Sequence, residues 1–342
     1  MSETKMNNCN KQRRMLLLGG TNSAYEIKDY AEKHGVTLVA TGKYPDTLLK
    51  RISAESYDVD AIDVAGLTNL IREKKIDAVF TGCNEDVIPA ALAAAENCGL
   101  PHYCDFDQWD VCMNKAKFKA LCIANGVPTA RRYDMDKLDK ITAFPVAVKP
   151  ADSCGSQGFS VCNSIAEINE AAKRAVKFSR TETVIVEEFM PYDAVIIHYT
   201  LINGEVHFSG MSDKVSRKLG EKGSSVMALQ LFPSRHTEAY LAELDGKVRA
   251  MFKNLGMHDG AVWIEAFADE DRFWFNEMGY ANQGPQPPDD IEVPLGTTWD
   301  YWTNVVTHER TGYIYEQETG TLRDPETGKH YSLMNPDEEV EV

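Results

Sequence analysis

"VKPADSCGSQGFSV", residues 148–161, ends an apolar run on a lysine and then crowds small and polar side chains around Gly155 and Gly158 before the chain turns apolar again. Small side chains leave backbone N–H groups open to phosphate oxygens, and Lys149 supplies the charge. A mobile hairpin tip has the same composition, so its neighbours must decide. Before it, "FPVAVKP" (144–150) has the composition of a buried strand that delivers Lys149 into the loop. After it, "TVIVEEFM" (183–190) is an apolar strand running into two carboxylates and two bulky apolar residues. Such a segment can offer backbone N–H and C=O to an adenine edge, with Glu187 or Asp193 meeting a ribose. Upstream, "NKAKFKALCIANGVPT" (114–129) predicts a helix that ends near Gly126, with Lys115, Lys117 and Lys119 in five residues. That lysine pattern is most often a solvated face.

Further on, "GAVWIEAFADEDRFWFNEMG" (260–279) alternates like two strands around the polar turn "ADEDR". Trp263, Glu265 and Phe267 share a face of the first strand, and Phe273, Phe275 and Glu277 a face of the second. With residues 269 and 273 closing the turn, Glu265 falls opposite Glu277. Two facing carboxylates amid aromatics repel, and the arrangement calls for a cation between them. Oxygen donors with no Cys or His nearby favour Mg²⁺ or Mn²⁺, usually bridging phosphates.

At 342 residues the chain exceeds what one core usually serves, and two or three packed units are expected. A hydrophobic fraction of 43% with 26% charged residues is ordinary for a soluble globular protein. No run of about 18 apolar residues occurs and "MSETKMNNCNKQRR" is polar, so neither a membrane span nor a signal peptide is expected, and a cytoplasmic location is. The net charge of −16 argues against nucleic acid as a partner. Cys9, Cys83, Cys98, Cys104, Cys112, Cys122, Cys154 and Cys162 form no paired C-x-x-C framework and are expected to be reduced.

The first hundred residues alternate strand and helix patterns. "MLLLGG" (15–20), "TLVATG" (37–42), "DAIDVAG" (60–66) and "DAVFTG" (77–82) are the strand candidates, and Leu67, Leu70 and Ile71 have helical spacing. This predicts a Rossmann-like parallel sheet with crossover helices. Ligands then gather at the strands' carboxyl ends, which makes Gly19, Gly20, Thr21, Asn22, Asn84 and Glu85 candidates for a small substrate. Glu85 reads equally as a helix-start carboxylate. "GGTNSAYE" lacks the second and third glycines of a dinucleotide fingerprint, which leaves NAD or FAD a minor reading.

Lysines, a small-residue loop, an apolar strand ending in Glu-Glu and paired glutamates stand in the order of the ATP-grasp superfamily, and the chain resembles it over roughly residues 13 to 300. The resemblance is to its carboxylate–amine ligase branch, which includes carbamoyl-phosphate-synthase-like and phosphoribosylglycinamide-synthetase-like proteins. It implies an α/β chain: a Rossmann-like domain at 13–110, a small lobe with the phosphate loop at 111–187, and a second lobe, with α+β character, at 188–310. A hairpin-like extension at 311–342 would end in a disordered acidic tail, "PDEEVEV". By the resemblance Lys115 and Lys149 contact ATP phosphates, and Ser153, Cys154, Gly155, Ser156, Gln157 and Gly158 close over them. Glu187, Glu188, Phe189 and Met190 form the adenine hinge, Asp193 faces the ribose, and Glu265 and Glu277 hold Mg²⁺ or Mn²⁺.

One departure bears on catalysis. Family members continue from the second glutamate as Glu-x-Asn-x-Arg, whereas this chain has Glu277-Met278-Gly279-Tyr280-Ala281. Asn276 or Asn282 could stand in for the Asn, and Arg217 or Arg235 for the Arg. The resulting expectation is an ATP-dependent ligase that activates a small carboxylate as an acyl-phosphate and captures it with an amine. The alternative is an ATP-binding module that has lost turnover. Small molecules are the expected partners, and a homodimer stays open.

Overall fold

The computed structural model describes residues 12–19, 24–82, 84–153, 155–218, 225–281, 297–300, 305–308 and 310–341. The chain forms two compact units, residues 1–106 with 281–289 and residues 107–280 with 290–342.

The first unit alternates β1 (Arg13–Leu17), α1 (Ala24–His34), β2 (Val36–Thr41), α2 (Leu48–Ile52), β3 (Glu55–Tyr57), α3 (Val64–Glu73), β4 (Ala78–Phe80) and α4 (Ile88–Asn97). The sheet runs β3-β2-β1-β4, parallel throughout. Leu16 and Leu18 join one core with Leu67, Leu70 and Ile71, while Leu17 joins another with Ala24 and Leu38. Both faces of the sheet are therefore covered, as parallel strands require. The third strand lies earlier than expected, at 55–57. In "DAIDVAG", Asp63 caps α3 by accepting a hydrogen bond from the Gly66 N–H at 3.1 Å, and the capping preference overrides the short apolar run. At the carboxyl ends, Gly19 has φ +72°, and a Cβ on it would lie 2.9 Å from Asn84 Nδ2. The loops after β1 and β4 thus touch at a point that only glycine permits.

The second unit begins at residue 107, one residue into α5 (Phe106–Met113), and continues with α6 (Lys115–Ala124). An antiparallel sheet follows, ordered β5 (Arg132–Tyr133), β8 (Val184–Glu188), β6 (Val146–Pro150) and β7 (Ser160–Cys162), with α7 (Ile165–Ala175) packed on it. Ile168, Ala171 and Ala175 of α7 meet Val146, Val148 and Val186. Ser164 caps α7: its Oγ accepts from Glu167 N, and Glu167 Oε2 reaches back to accept from Asn163 N, just before the cap.

The second sheet runs β11 (Ser225–Leu231), β10 (Glu205–Lys218), β9 (Asp193–Ile202), β12 (Gly260–Asp269) and β13 (Arg272–Ala281). Alternation along β9 sorts its two faces. Val195, Ile197, Tyr199 and Leu201 are buried. Tyr199 meets Tyr240 of α8 (Thr237–Glu243) through their hydroxyls at 2.7 Å, and Phe252 of α9 (Asp245–Asn254) edge to face at 5.4 Å. Ile196 and His198 point to the other face, as do their cross-strand neighbours Glu265 and Trp263.

The C-terminal residues add β14 (Thr297–Asp300), β15 (Val305–His308), β16 (Ile314–Glu316), β17 (Thr321–Arg323), β18 (His330–Ser332) and β19 (Glu339–Val340) in one antiparallel ladder. The expected disordered tail is corrected by β19. Lys329 pairs with Glu339 at 2.6 Å and Arg310 with Asp337 at 3.0 Å, so basic partners hold the acidic residues in a strand and its turn.

Candidate active site

Four lysines and three glutamates of the second unit converge. Lys149, last but one in β6, donates to Glu187 Oε1 at 2.6 Å and to Asn276 Oδ1 at 2.6 Å. Lys119 reaches Glu187 Oε2 at 2.9 Å and the Phe275 carbonyl at 3.1 Å. Asn276 Nδ2 donates to Glu265 Oε1 at 2.8 Å, and Lys214 pairs with Glu265 Oε2. Lys115 donates to Glu277 Oε2 at 2.8 Å and to the Ser153 carbonyl at 2.6 Å. Four ammoniums against three carboxylates leave a surplus of one positive charge.

Glu187 is 2% exposed and Lys119 0%. Burial would raise the Glu187 carboxyl, but Lys149 and Lys119 outweigh it and hold the group below its ordinary value. Burial, reinforced by the Lys149 charge, pushes the Lys119 ammonium down to about 8 against the pull of Glu187. At Glu277 burial is likewise outweighed, chiefly by Lys115, and its pKa is lowered.

Helix geometry explains which lysines converge. Asn114 caps α6 by accepting from Ala116 N and Lys117 N, and the Lys115 N–H donates to the Ala151 carbonyl, docking the helix start on the chain leading into the loop. Residues 115 and 119 are one turn apart and share a face, whereas Lys117 points away to Asp110. The solvated-face expectation therefore holds for Lys117 and fails for Lys115 and Lys119. The i, i+4 spacing was the signal available for Lys119.

The loop at 153–158 is anchored at both ends. Asp152 accepts from Ser179 Oγ, Arg180 N and Thr181 N, and Ser153 Oγ donates to the Gln157 carbonyl at 3.1 Å. Gly155, Ser156 and Gln157 are exposed between those anchors, and Cys154 lies outside the described residues. A Cβ on Gly158 would come within 2.8 Å of Pro150 Cγ, so the loop base needs that glycine.

The hinge segment is split. Glu187 turns into the lysine network and is not available to a ribose through its side chain. Glu188 is exposed at the end of β8, and Met190 is buried. Asp193 pairs with Arg235 at 3.0 Å, and both border a cleft of about 460 Å³ with Tyr192, His236 and Asp269. That cleft lies by the β12–β13 turn, and it places Arg235 with Asp193 instead of with Glu277. The Arg217 side chain, Asn282, Gly20, Thr21 and Asn22 lie outside the described residues. Glu85 does not cap α4, whose N-cap position is Val87.

The facing-glutamate expectation is corrected. β12 ends at Asp269 and β13 starts at Arg272, leaving a two-residue turn in which Glu270 has φ 53°. The shorter turn moves the pairing by one residue, and Glu265 meets the amide of Asn276 instead of the carboxylate of Glu277. Each glutamate has its own lysine. Gly279 is also filled from outside: a Cβ there would lie 2.2 Å from Trp263 Nε1, so the indole sits where a side chain at 279 would begin.

Among the described residues no group of three or more His, Cys, Asp or Glu is arranged for a metal ion. Glu265 and Glu277 carry oxygen donors of the kind Mg²⁺ takes, and each is paired here with a lysine, Lys214 and Lys115.

A family model described as D-ala D-ala ligase C-terminus matches residues 110–280. The formate-dependent phosphoribosylglycinamide formyltransferase of Geobacter metallireducens is 27% identical over 306 residues, covering 82% of this chain and 71% of that protein. Among solved structures, an L-amino acid ligase from Bacillus licheniformis superposes with a TM-score of 0.64 at 19% identity, over 80% of this chain and 68% of that one. The N5-carboxyaminoimidazole synthetase of Staphylococcus aureus, solved with ADP, superposes with a TM-score of 0.64 at 16% identity, over 85% and 75%. At these identities the structural likenesses establish the fold.

Proposed function

The chain belongs to the D-ala D-ala ligase C-terminus family, an ATP-grasp family, and on that premise we propose that it is an ATP-dependent ligase joining a small carboxylate to an amine through an acyl-phosphate. The observation that carries the reading is the partly buried network of four lysines and three glutamates beside the 153–158 loop. Its surplus positive charge suits a polyphosphate, and lysines held by exchangeable protein carboxylates are already placed to receive one.

Lys149 and Lys115 bind phosphate oxygens, and the small-residue loop excludes water over them. Glu187 and Lys119 stay buried and position Lys149. Glu188 to Met190 border the adenine, and Asp193 with Arg235 meets the ribose hydroxyls. Glu265 and Glu277 would hold Mg²⁺, which when bound offsets phosphate charge during transfer. The residues assigned to the carboxylate substrate are Gly20, Thr21, Asn22 and Glu85, which follow the first and fourth strands of the first unit in sequence.

Release of ADP from ATP and Mg²⁺ across a panel of carboxylates and amines tests the reading, with hydroxylamine added to trap acyl-phosphate. Turnover that depends on a carboxylate supports it. Thermal stabilisation by NAD(P) and not by ATP with Mg²⁺ would overturn it. Gly279, with Trp263 filling its side-chain space, favours a second reading, an ATP-binding module without turnover. Tight ATP binding with no carboxylate-dependent ADP release would select it.

A further inference from the structure

The face of the five-stranded sheet that carries Glu265 and Lys214 holds a second constellation that the nucleotide reading does not use. Gln230 Oε1 accepts from Ser212 Oγ at 2.8 Å and meets His198 Nε2 at 3.3 Å. With the Gln230 amide oxygen assigned toward the ring, the matching tautomer has the proton on Nε2 and the lone pair on Nδ1. Phe232 holds the ring from one side at 5.7 Å between centroids. Gly210, across from His198, lies beside the same phenyl ring, and a Cβ there would make an ordinary contact with Phe232 Cε1 at 3.6 Å.

The position matters as much as the orientation. His198 lies directly across from Trp263, two residues along β12 from Glu265, a strand repeat of about 7 Å. A base so oriented, one side-chain step from the phosphate and metal residues, stands where an incoming nucleophile would approach.

We propose that His198 is the general base of the ligase reaction, oriented by Gln230 and Ser212, and that the second substrate is a protonated primary amine bound between His198 and Trp263. The assignment rests on the ligase reading. In the step, Nδ1 takes one proton from the ammonium, and the freed lone pair forms the C–N bond to the acyl-phosphate carbon. The C–O bond to phosphate then breaks with its electron pair on phosphate. The nitrogen's second proton goes to the departing phosphate, and the imidazolium returns its own to solvent. Burial keeps the ring below its ordinary pKa against the Gln230 hydrogen bond, so it is uncharged at pH 7 with a free lone pair. Among the described residues, the charged groups on this face are Lys214 of β10 and Glu265 of β12, β13 carries Glu277, and Gln230 of β11 and Phe232 just after it are neutral.

The test compares two amines with ATP, Mg²⁺ and the carboxylate of the panel above that supports ADP release: glycine, which is protonated at pH 7, and hydroxylamine, which is largely not. His198→Gln is expected to lose roughly a hundredfold more in glycine coupling than in hydroxamate formation, the size of one general base. That gap should close as rising pH deprotonates glycine. Equal losses with both amines would overturn the assignment. In parallel, ¹⁵N NMR should show the His198 ring as the Nε2–H tautomer at pH 7, with that preference lost in Gln230→Ala. A ring that is protonated at pH 7, or that carries its proton on Nδ1, also overturns it. If the wild type makes neither product, the failure belongs to the ligase reading, and the NMR result alone decides whether His198 is the oriented base.

Discussion

Replacing Lys119 with Met tests the network at its most buried point. Lys119 is 0% exposed, and its pKa of about 8 lies below the ordinary 10.5. The folded protein therefore gives up this proton before the unfolded chain does. Between those two values the unfolded state holds the extra proton, and stability rises with pH. The interval of about 2.5 units corresponds to roughly 3 kcal/mol at 1.36 kcal/mol per unit. Met keeps the aliphatic stem and removes the titration, so subtracting the variant cancels the other lysines and tyrosines. Urea midpoints for wild type and Lys119→Met, measured from pH 7 to 10.5, should show the wild type gaining up to about 3 kcal/mol relative to the variant. The gain should be confined to the range above about pH 8. A difference that stays flat or falls as pH rises would refute the buried, charge-crowded ammonium.

Lys149→Ala is expected to weaken ATP binding by about 1.5–3 kcal/mol, the worth of one charge-assisted contact, and calorimetric titration with unchanged affinity would remove that lysine from the site. Glu277→Gln should lower, not raise, the stability of the empty protein, because the carboxylate is paired with Lys115, and it should abolish the extra thermal shift that Mg²⁺ gives with ATP. The lowered Glu277 pKa gives stability that is present above its ordinary 4.5 and is lost as pH falls through the folded value, so wild type and variant should converge in acid. Gly279→Ala should cost about 1–3 kcal/mol, since its Cβ would overlap the indole of Trp263. Most of that cost should disappear in a Trp263→Ala background, where additive losses in denaturation would show that the two positions do not touch.

Local chemistry carried much of this protein in its sequence. The parallel sheet followed from short apolar runs between helical patterns, and β6, β8, β12 and β13 formed near where their apolar periodicity put them. The family could be recognised because lysines, small-residue loop and glutamates keep a fixed order along the chain. These features depend on neighbours a few residues away, and one sequence suffices to show them.

Tertiary structure decided what each charge faces. A single residue in the β12–β13 turn exchanged Glu277 for Asn276 as the partner of Glu265, and no propensity distinguishes a two-residue turn from a three-residue one in "ADEDR" strongly enough to foresee it. Glu187 and Lys119 lie 68 positions apart, and their pairing depends on α6 docking beside β8. The acidic tail looked unfoldable by composition until Lys329 and Arg310 came within reach of it. His198 carried no motif at all, because its orientation comes from Gln230 two strands away across the sheet. Sequence sets which groups are present and the period on which they repeat. Only the packed chain sets which opposite charges share a low-dielectric interior, and there a few ångströms decide whether a carboxylate holds a lysine, a metal or a substrate.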